Sequence, residues 1–233
     1  MNVVITGGSK GIGKAIALRY ASAGNNLFLC ARNADKLQEA ASEIQKQYPA
    51  VKIKIKAVDL SDKNQVLAFA DWCLHHAVPD IIVNNAGVYF PGNTIDEPEN
   101  SLETMMNSNL YSAYHLTRKL VPAMIKKGSG HIFNMCSVAS LQAYNGGGGY
   151  SISKFALWGF TQNLRHELKA HNIKVTAVFP GAVLTESWAG FDNSSNRIMV
   201  PHDVAEMIFA ASTLSPQSVV EDIILRPQLG DLN

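Results

Sequence analysis

Cysteine is scarce in this chain: Cys30, Cys73 and Cys136 are scattered, and none forms a CxxC pair. That usage argues against a disulfide framework and favours reduced thiols. No apolar run approaches the roughly 20 residues that a membrane-spanning helix needs. Met1 leads directly into the first predicted strand, so no signal peptide is expected. We therefore expect a cytoplasmic protein without a membrane partner.

The chain also lacks a surplus of charge of either sign. Twenty basic and nineteen acidic residues leave a net charge of +1, so bulk electrostatics favours neither nucleic acid nor an anionic membrane as a partner. The seven histidines show no H-x-x-x-H spacing, and the adjacent His75 and His76 would point to different sides of a helix. We expect no metal site.

Apolar runs alternate with helical patterns along all 233 residues. Strands are predicted at Val3–Thr6, Leu27–Ala31, Ile53–Val58, Ile81–Asn84, His131–Cys136, Val175–Phe179 and Val219–Leu225. Helices are predicted near Gly11–Ala23, Ala34–Gln47, Lys63–His76, Glu99–Lys126, Tyr150–Ala170 and Pro201–Ser212. Most strands are continuously apolar, which is typical of a parallel sheet covered by helices on both faces. The alternation predicts a single α/β domain, 1–233, with a Rossmann-like, doubly wound seven-stranded sheet and ligands at the carboxyl ends of its strands.

Two segments have no place in that alternation. The stretch 185–200 lacks a clear period and contains Trp188 and Phe191, which leaves either a substrate lid or an ordinary surface loop. Four glycines, Gly146–Gly149, precede Tyr150. We expect them to widen a substrate pocket or to permit movement there.

Two local patterns carry the chemistry. The first strand runs into Thr6-Gly7-Gly8-Ser9-Lys10-Gly11-Ile12-Gly13, whose glycines let backbone amides approach a pyrophosphate. Tyr150 and Lys154 are four residues apart, so in a helix they share one face. Tyr48 and Lys52 have the same spacing, but the intervening Pro49 disfavours a helix and excludes that pair.

In this order the motifs resemble the short-chain dehydrogenase/reductase family, in its compact single-domain branch, over nearly the whole chain. The further matching motifs are Asp59 after the third strand, Asn84-Asn85-Ala86-Gly87 after the fourth, Asn109 in the long helix, Ser137 thirteen residues before Tyr150, and Pro180-Gly181-Ala182-Val183-Leu184-Thr185 after the sixth. The chain departs from the family at Ser140, where Gly is frequent, in its four glycines before Tyr150 and in a short C-terminus.

The resemblance implies reversible hydride transfer between a nicotinamide and a carbonyl or secondary alcohol. Tyr150 would be the general acid or base. Because a free phenol titrates near about 10, we expect the Lys154 ammonium to lower the pKa of Tyr150; by resemblance Lys154 also holds the nicotinamide ribose. Ser137 would donate to the substrate oxygen. The resemblance gives Asn109 a water that relays protons to Lys154, and nearby Asn107 competes for that assignment.

The end of the second strand predicts which cofactor binds. NAD binders commonly carry an acid there, whereas this chain has Ala31 followed by Arg32, and Lys10 adds a second cation. Two cations without a carboxylate suit a 2′-phosphate, so we predict NADP(H). Asp59 would bond the adenine, and Thr185 the nicotinamide carboxamide. The predicted cofactor-binding residues are Thr6, Gly7, Ser9, Lys10, Gly11, Ile12, Gly13, Arg32, Asp59, Leu60, Asn85, Ala86, Gly87, Tyr150, Lys154, Pro180, Gly181, Val183 and Thr185.

The sequence leaves the substrate open among sugars, steroids, pteridines and small ketones. A 3-oxoacyl-thioester reductase acting on an acyl carrier protein is the alternative enzyme. A catalytically silent NADP(H)-binding sensor and a scaffold with a vestigial cofactor site are the alternatives outside catalysis, although such relatives typically lack the tyrosine or the lysine. Apolar residues on several sides of the helices at Glu99–Lys126 and Tyr150–Ala170 predict a homodimer or homotetramer.

Overall fold

The computed structural model describes residues 1–188 and 190–232, and its centre is a seven-stranded sheet. The strands are β1 (Asn2–Thr6), β2 (Asn26–Ala31), β3 (Ile53–Ala57), β4 (Ile81–Asn84), β5 (Gly130–Met135), β6 (Ile173–Pro180) and β7 (Asp222–Leu225). Their order is β3-β2-β1-β4-β5-β6-β7, and every neighbouring pair is parallel. This confirms the predicted Rossmann-like architecture.

Helices cover both faces of the sheet. They are α1 (Gly11–Ser22), α2 (Ala34–Gln47), α3 (Lys63–His76), α4 (Ser101–Met105), α5 (Ser112–Lys127), α6 (Gly148–Leu168) and α7 (Pro201–Ser212). On one face Ile16 of α1 and Ile208 of α7 join the core; on the other, Phe69 of α3, Leu116 of α5 and Leu164 of α6 do so. Among the described residues no helix is long and apolar enough to cross a membrane.

The prediction of one continuous helix at Glu99–Lys126 is wrong. The chain forms α4, then a π-helical turn at Met106–Tyr111, then α5. A π turn adds a residue to the helical repeat and rotates the helix after it, and such turns are frequent at functional sites. Here the turn contains Asn109, which is buried. The helix predicted to open at Tyr150 begins two residues earlier, at Gly148.

Strand order reverses between β1 and β4, and hydrogen bonds lock that switch point. The Thr6 hydroxyl accepts from the backbone N–H groups of Asn85 and Ala86, each at 2.9 Å. The Asn85 side chain donates back to the Thr6 carbonyl at 2.8 Å. In open α/β sheets ligands bind in the crevice at this point, so these residues hold the two walls of that crevice together.

Candidate active site

The glycine loop forms as predicted and leaves a helix N-terminus free. Gly7 and Gly11 have φ values of +69° and +53°, a region that glycine adopts without strain. The N-cap residue of α1, Lys10, makes no side-chain cap, and the first turn holds no acid. The first N–H groups of α1 therefore remain available to an anion such as a pyrophosphate.

Cations gather beside this loop. Lys10 and Arg32 are exposed, as is Lys36 in the first turn of α2, a third cation that no sequence motif indicated. The Asp59 carboxylate accepts from the hydroxyl of Ser61 at 2.7 Å and from its N–H at 3.0 Å, and these bonds lower the pKa of Asp59. The free helix N-terminus and three nearby cations fit a dinucleotide that carries a 2′-phosphate.

Tyr150, Ser137 and Lys154 meet at the carboxyl edge of the sheet. Ser137 follows β5, and the other two lie in the first turns of α6. The Ser137 side chain lies close enough to the Tyr150 hydroxyl to lower its pKa. The Lys154 Nζ lies 5.7 Å from the Tyr150 ring centroid and donates to the Met135 carbonyl at 2.7 Å. The geometry therefore assembles a proton donor, a second hydroxyl and an ammonium group.

Desolvation dominates the ionisation of Tyr150, which is partly exposed, and of Lys154, which is buried. Desolvation raises the pKa of Tyr150 to about 12, against a smaller lowering by the nearby Ser137 side chain. Desolvation likewise lowers the pKa of Lys154, which is 5% exposed, to about 8. The expectation that Lys154 brings the pKa of Tyr150 below its usual value is therefore not met in this structure, because desolvation outweighs any stabilisation of the phenolate by the ammonium. Removal from water destabilises phenolate and ammonium alike, and the ammonium is bonded to the Met135 carbonyl.

The lowered pKa of Lys154 predicts a pH-dependent stability. Between about pH 8 and the ordinary lysine value of 10.5, the unfolded chain binds a proton that the folded chain does not, so this lysine makes stability rise with pH. Lys154→Met should lack that slope and should raise the free energy of unfolding near pH 7 by up to about 3 kcal/mol.

Urea unfolding of wild type and Lys154→Met, each near neutral pH and near pH 10, measures this effect. Lys126→Met, at an exposed position, is the control. A stability difference between wild type and Lys154→Met that stays constant across the range would contradict the lowered pKa.

Asn109 is buried beside Gly87, whereas Asn107 is exposed. The Asn109 amide accepts from the Val88 N–H at 2.7 Å, donates to the Val88 carbonyl at 3.0 Å, and donates to Ser153 Oγ at 2.9 Å. A Cβ at position 87 would lie 2.9 Å from Asn109 Oδ1 and 3.6 Å from Lys154 Nζ. Glycine thus permits this approach, and the water-relay role of Asn109 stays a prediction.

Ser140, one of the departures from the family pattern, supports Ser137. Its hydroxyl accepts from the Ser137 N–H at 3.1 Å, while Ser137 Oγ accepts from Ala139 N–H at 3.2 Å, forming a capping box on a short 3-10 helix. Ser137 Oγ also donates to the Pro180 carbonyl at 3.4 Å. Ser140 therefore fixes the backbone that presents the Ser137 hydroxyl.

The segment after β6 lies against the glycine loop. Val183 is buried and pairs with Met199, which closes the base of the 185–200 loop. A Cβ on Gly11 would lie 3.2 Å from the Thr185 methyl carbon. The Gly181 N–H donates to the Leu225 carbonyl at 2.8 Å, so the predicted segment borders the site and is tied to β7.

The 185–200 loop has some structure of its own. It begins with a short 3-10 helix, Glu186–Trp188, and the rings of Trp188 and Phe191 pack edge to face at 5.4 Å. Arg197 donates to the carbonyls of Gly230 and Asp231 at 2.9 and 3.1 Å. The short C-terminus therefore packs on this loop.

The glycines before Tyr150 let a neighbouring segment come close. A Cβ on Gly148 would lie 2.5 Å from the Gly92 carbonyl oxygen and 2.8 Å from Glu97 Oε2. Glu97 Oε2 accepts from the Gly149 N–H at 3.0 Å. A carboxylate thus caps the N-terminus of α6, one residue before Tyr150, which is the favourable place for a negative charge on a helix. Pocket widening by these glycines stays a prediction.

Removing this carboxylate should loosen the start of α6. Glu97→Ala is expected to lower the free energy of unfolding by about 1 kcal/mol, the usual cost of a lost helix cap, whereas Glu97→Gln keeps an acceptor oxygen and should lose less. Urea denaturation measures both, with Glu99→Ala at an exposed position as the control. Equal stability of Glu97→Ala and wild type would refute the capping role.

Two tyrosines that no sequence motif indicated surround the Tyr150 ring. Tyr89 packs edge to face on it at 5.0 Å between ring centroids. Tyr144, which is 44% exposed, lies near Tyr89, and its pKa is raised, chiefly by desolvation. A cavity of about 290 Å³ adjoins this cluster and is lined in part by Tyr144, Phe155 and the buried Ser151. No local sequence pattern marks these tyrosines, because the fold brings them together.

Comparisons with known proteins agree with this geometry. The chain matches the family described as short chain dehydrogenase over residues 1–195. It is 35% identical to a sepiapterin reductase of Chlorobaculum tepidum, over 99% of this chain and 97% of that protein. A metagenomic short-chain oxidoreductase solved in complex with NADP is 31% identical, with a TM-score of 0.86 over 98% of this chain and 97% of that one. L-sorbose reductase from Gluconobacter frateurii, complexed with NADPH and L-sorbose, is 27% identical, with a TM-score of 0.86 over 96% and 94% of the two chains.

Fold and site define an oxidoreductase with a Rossmann-like sheet. The chain belongs to the short-chain dehydrogenase/reductase family, as its motifs predicted.

Proposed function

We propose that this protein is an NADP(H)-dependent reductase of carbonyl compounds, running in reverse as an alcohol dehydrogenase. The observation that carries the proposal is the Tyr150 hydroxyl, placed beside Ser137 and one helical turn from Lys154. This group stands at the carboxyl edge of the sheet, where ligands of such folds bind. A scaffold or silent sensor has no need of all three side chains together.

Each side chain has a chemical task in this proposal. When bound, NADPH supplies the hydride that the carbonyl carbon accepts. Ser137 and Tyr150 donate hydrogen bonds to the carbonyl oxygen, where negative charge develops. The Tyr150 hydroxyl then gives up its proton, which balances the reduction to an alcohol. The Lys154 ammonium stabilises the tyrosinate that remains, and Asn109 holds the backbone beside Lys154.

NADP(H) suits the adenosine end of this site. Lys10, Arg32 and Lys36 are exposed cations of the kind that binds a 2′-phosphate, and the two solved relatives described above hold NADP and NADPH. The free N-terminus of α1 would take the pyrophosphate. Asp59, at the strand end, and Thr185, beside Gly11, border the adenine and nicotinamide ends respectively.

The aromatic wall beside Tyr150 favours a substrate with a flat ring. Tyr89 and Tyr144 offer ring faces and edges at the mouth of the site, which suits stacking or edge contacts. The relative named sepiapterin reductase is similar over nearly its full length. A pteridine carbonyl is therefore the first substrate to test, with a ketose such as L-sorbose second.

The remaining parts of the proposal concern the loop and the assembly. The 185–200 loop, with Trp188 and Phe191, would form the lid over the substrate. The chain would act as one domain and as a homodimer or homotetramer in the cytoplasm. Tyr111, Ile152 and Phe155 support an oligomer, since each exposes 40% or more of its surface near the start of α5 and along α6.

Initial rates of NADPH oxidation with a panel of carbonyls test this function. The panel contains a pteridine ketone, L-sorbose, a small aliphatic ketone and a 3-oxoacyl thioester, with NADH as the parallel cofactor. NADPH-dependent turnover of at least one member is expected. Equal rates with NADH would contradict the cofactor assignment, and NADPH binding without any turnover would favour the sensor.

A further inference from the structure

One carboxylate lies between two of the cations at the cofactor site. Glu186 contacts the Lys10 ammonium through Oε2, and its Oε1 lies 3.5 Å from the Lys36 ammonium. The three side chains are 54–56% exposed. The contact with Lys10 lowers the pKa of Glu186, so the group is a carboxylate at neutral pH.

Both lysines of this contact lie at the proposed cofactor site. Lys10 immediately precedes Gly11 in the glycine loop, and Lys36 follows β2 in the first turn of α2. One carboxylate reaches both ammonium groups, so a second small anion of similar span can also reach both. The 2′-phosphate of NADP(H) is such an anion, whereas NAD(H) has a neutral hydroxyl at that place.

Glu186 belongs to a different part of the chain from the lysines. It opens the 3-10 helix at the start of the 185–200 loop, 176 residues from Lys10 and 150 from Lys36. No pattern of closely spaced residues in the sequence could predict this ion pair. The ion pair forms because the 185–200 loop follows β6 at the same edge of the sheet as the glycine loop that follows β1.

Building on the proposed function, we propose that Glu186 competes with the 2′-phosphate of NADP(H) for Lys10 and Lys36 and so limits the preference of the site for NADP(H) over NAD(H). Binding of the phosphate breaks both ion pairs and places Glu186 in water. An exposed pair contributes little by itself, so the loss of each is worth about a two- to threefold change in affinity, and the loss of both together falls within about three- to tenfold.

Direct binding of cofactors measures this competition without requiring turnover. The dissociation constants of NADPH and NADH are determined by calorimetry for wild type and Glu186→Gln. The matched control is Glu43→Gln, because Glu43 makes an exposed ion pair with Lys14 at 2.5 Å on the neighbouring helices α1 and α2. The fragments 2′,5′-ADP and 5′-AMP isolate the contribution of the 2′-phosphate.

Glu186→Gln is expected to bind NADPH and 2′,5′-ADP about three- to tenfold more tightly than wild type, with NADH and 5′-AMP changed less than about twofold. Glu43→Gln should change the NADPH-to-NADH ratio by less than about twofold. The effect of Glu186→Gln should shrink at high ionic strength, because salt screens exposed pairs.

Two results would overturn the proposal. If Glu186→Gln bound NADPH and NADH more tightly by the same factor, Glu186 would act only through its general negative charge. If Glu186→Gln bound NADPH more weakly than wild type, Glu186 would assist NADPH binding and not compete with it. In both cases wild-type NADPH binding leaves the proposed function standing. A wild type that binds neither cofactor would remove the proposed function and this competition together.

Discussion

Replacing Tyr150 with phenylalanine should lower kcat for carbonyl reduction about 10²- to 10⁴-fold, the usual contribution of a positioned general acid. Phenylalanine keeps the ring that packs on Tyr89 at 5.0 Å and removes only the hydroxyl that lies beside Ser137. The dissociation constant of NADPH should change less than about twofold, since the lost group serves the reacting oxygen.

Steady-state kinetics with NADPH and the best carbonyl of the panel measure this loss. Tyr48→Phe is the matched control, because Tyr48 and Lys52 repeat the spacing of Tyr150 and Lys154 outside a helix. That variant should retain wild-type turnover. A Tyr150→Phe enzyme with more than about a tenth of wild-type kcat would remove Tyr150 from the role of proton donor.

Gly13→Ala should be the most damaging single substitution in the glycine loop. A Cβ there would lie 2.2 Å from the Gly7 carbonyl oxygen and 2.6 Å from Asn85 Nδ2. Because the nearest atom is backbone, the loop and the first turn of α1 must move. We expect a loss of about 3 kcal/mol in the free energy of unfolding and a loss of NADPH binding, since the helix N-terminus no longer faces the cofactor correctly.

Gly159→Ala is the control for this substitution. Gly159 lies inside α6. Among the described residues, and apart from its chain neighbours and the nearby backbone of α6 itself, no heavy atom comes within 4 Å of the position that a Cβ on Gly159 would take. Alanine in a helix interior is favoured over glycine by roughly 0.5–1 kcal/mol, so this variant should be more stable than wild type. Urea unfolding of both variants checks the pair, and a Gly13→Ala protein as stable as wild type would contradict the packing described for the loop.

Much of the fold could be predicted because its local signals are strong. Helices α2, α3 and α7 begin and end as predicted. Asn33 and Asp62 cap the first two with side-chain acceptors, and Pro201 opens the third at a position where its missing N–H costs nothing. The strand β3 lies at the edge of the sheet and alternates isoleucine with lysine. This alternation has the period of a strand, so β3 could be predicted although it is not continuously apolar.

The parts that the sequence missed depend on tertiary contacts. The π turn at Met106–Tyr111 interrupts a helical pattern that has no proline or glycine at that place, so its apolar spacing alone predicts one long helix. Glu97 meets Gly149 across 52 residues. The raised pKa of Tyr150 follows from desolvation by residues that the fold places around it, which no motif records. The candidate catalytic residues could be proposed from the sequence because they lie in motifs; their electrostatics could not.

Transfer of deuterium tests the central claim most directly. NADPH deuterated at the nicotinamide C4 position is incubated with the enzyme and a carbonyl substrate, and the product alcohol is analysed by mass spectrometry. The proposed function predicts one deuterium at the carbinol carbon in wild type and almost no product with Tyr150→Phe. Alcohol that carries no deuterium from either C4 epimer of the cofactor, or equal product from both proteins, would contradict hydride transfer at a site governed by Tyr150.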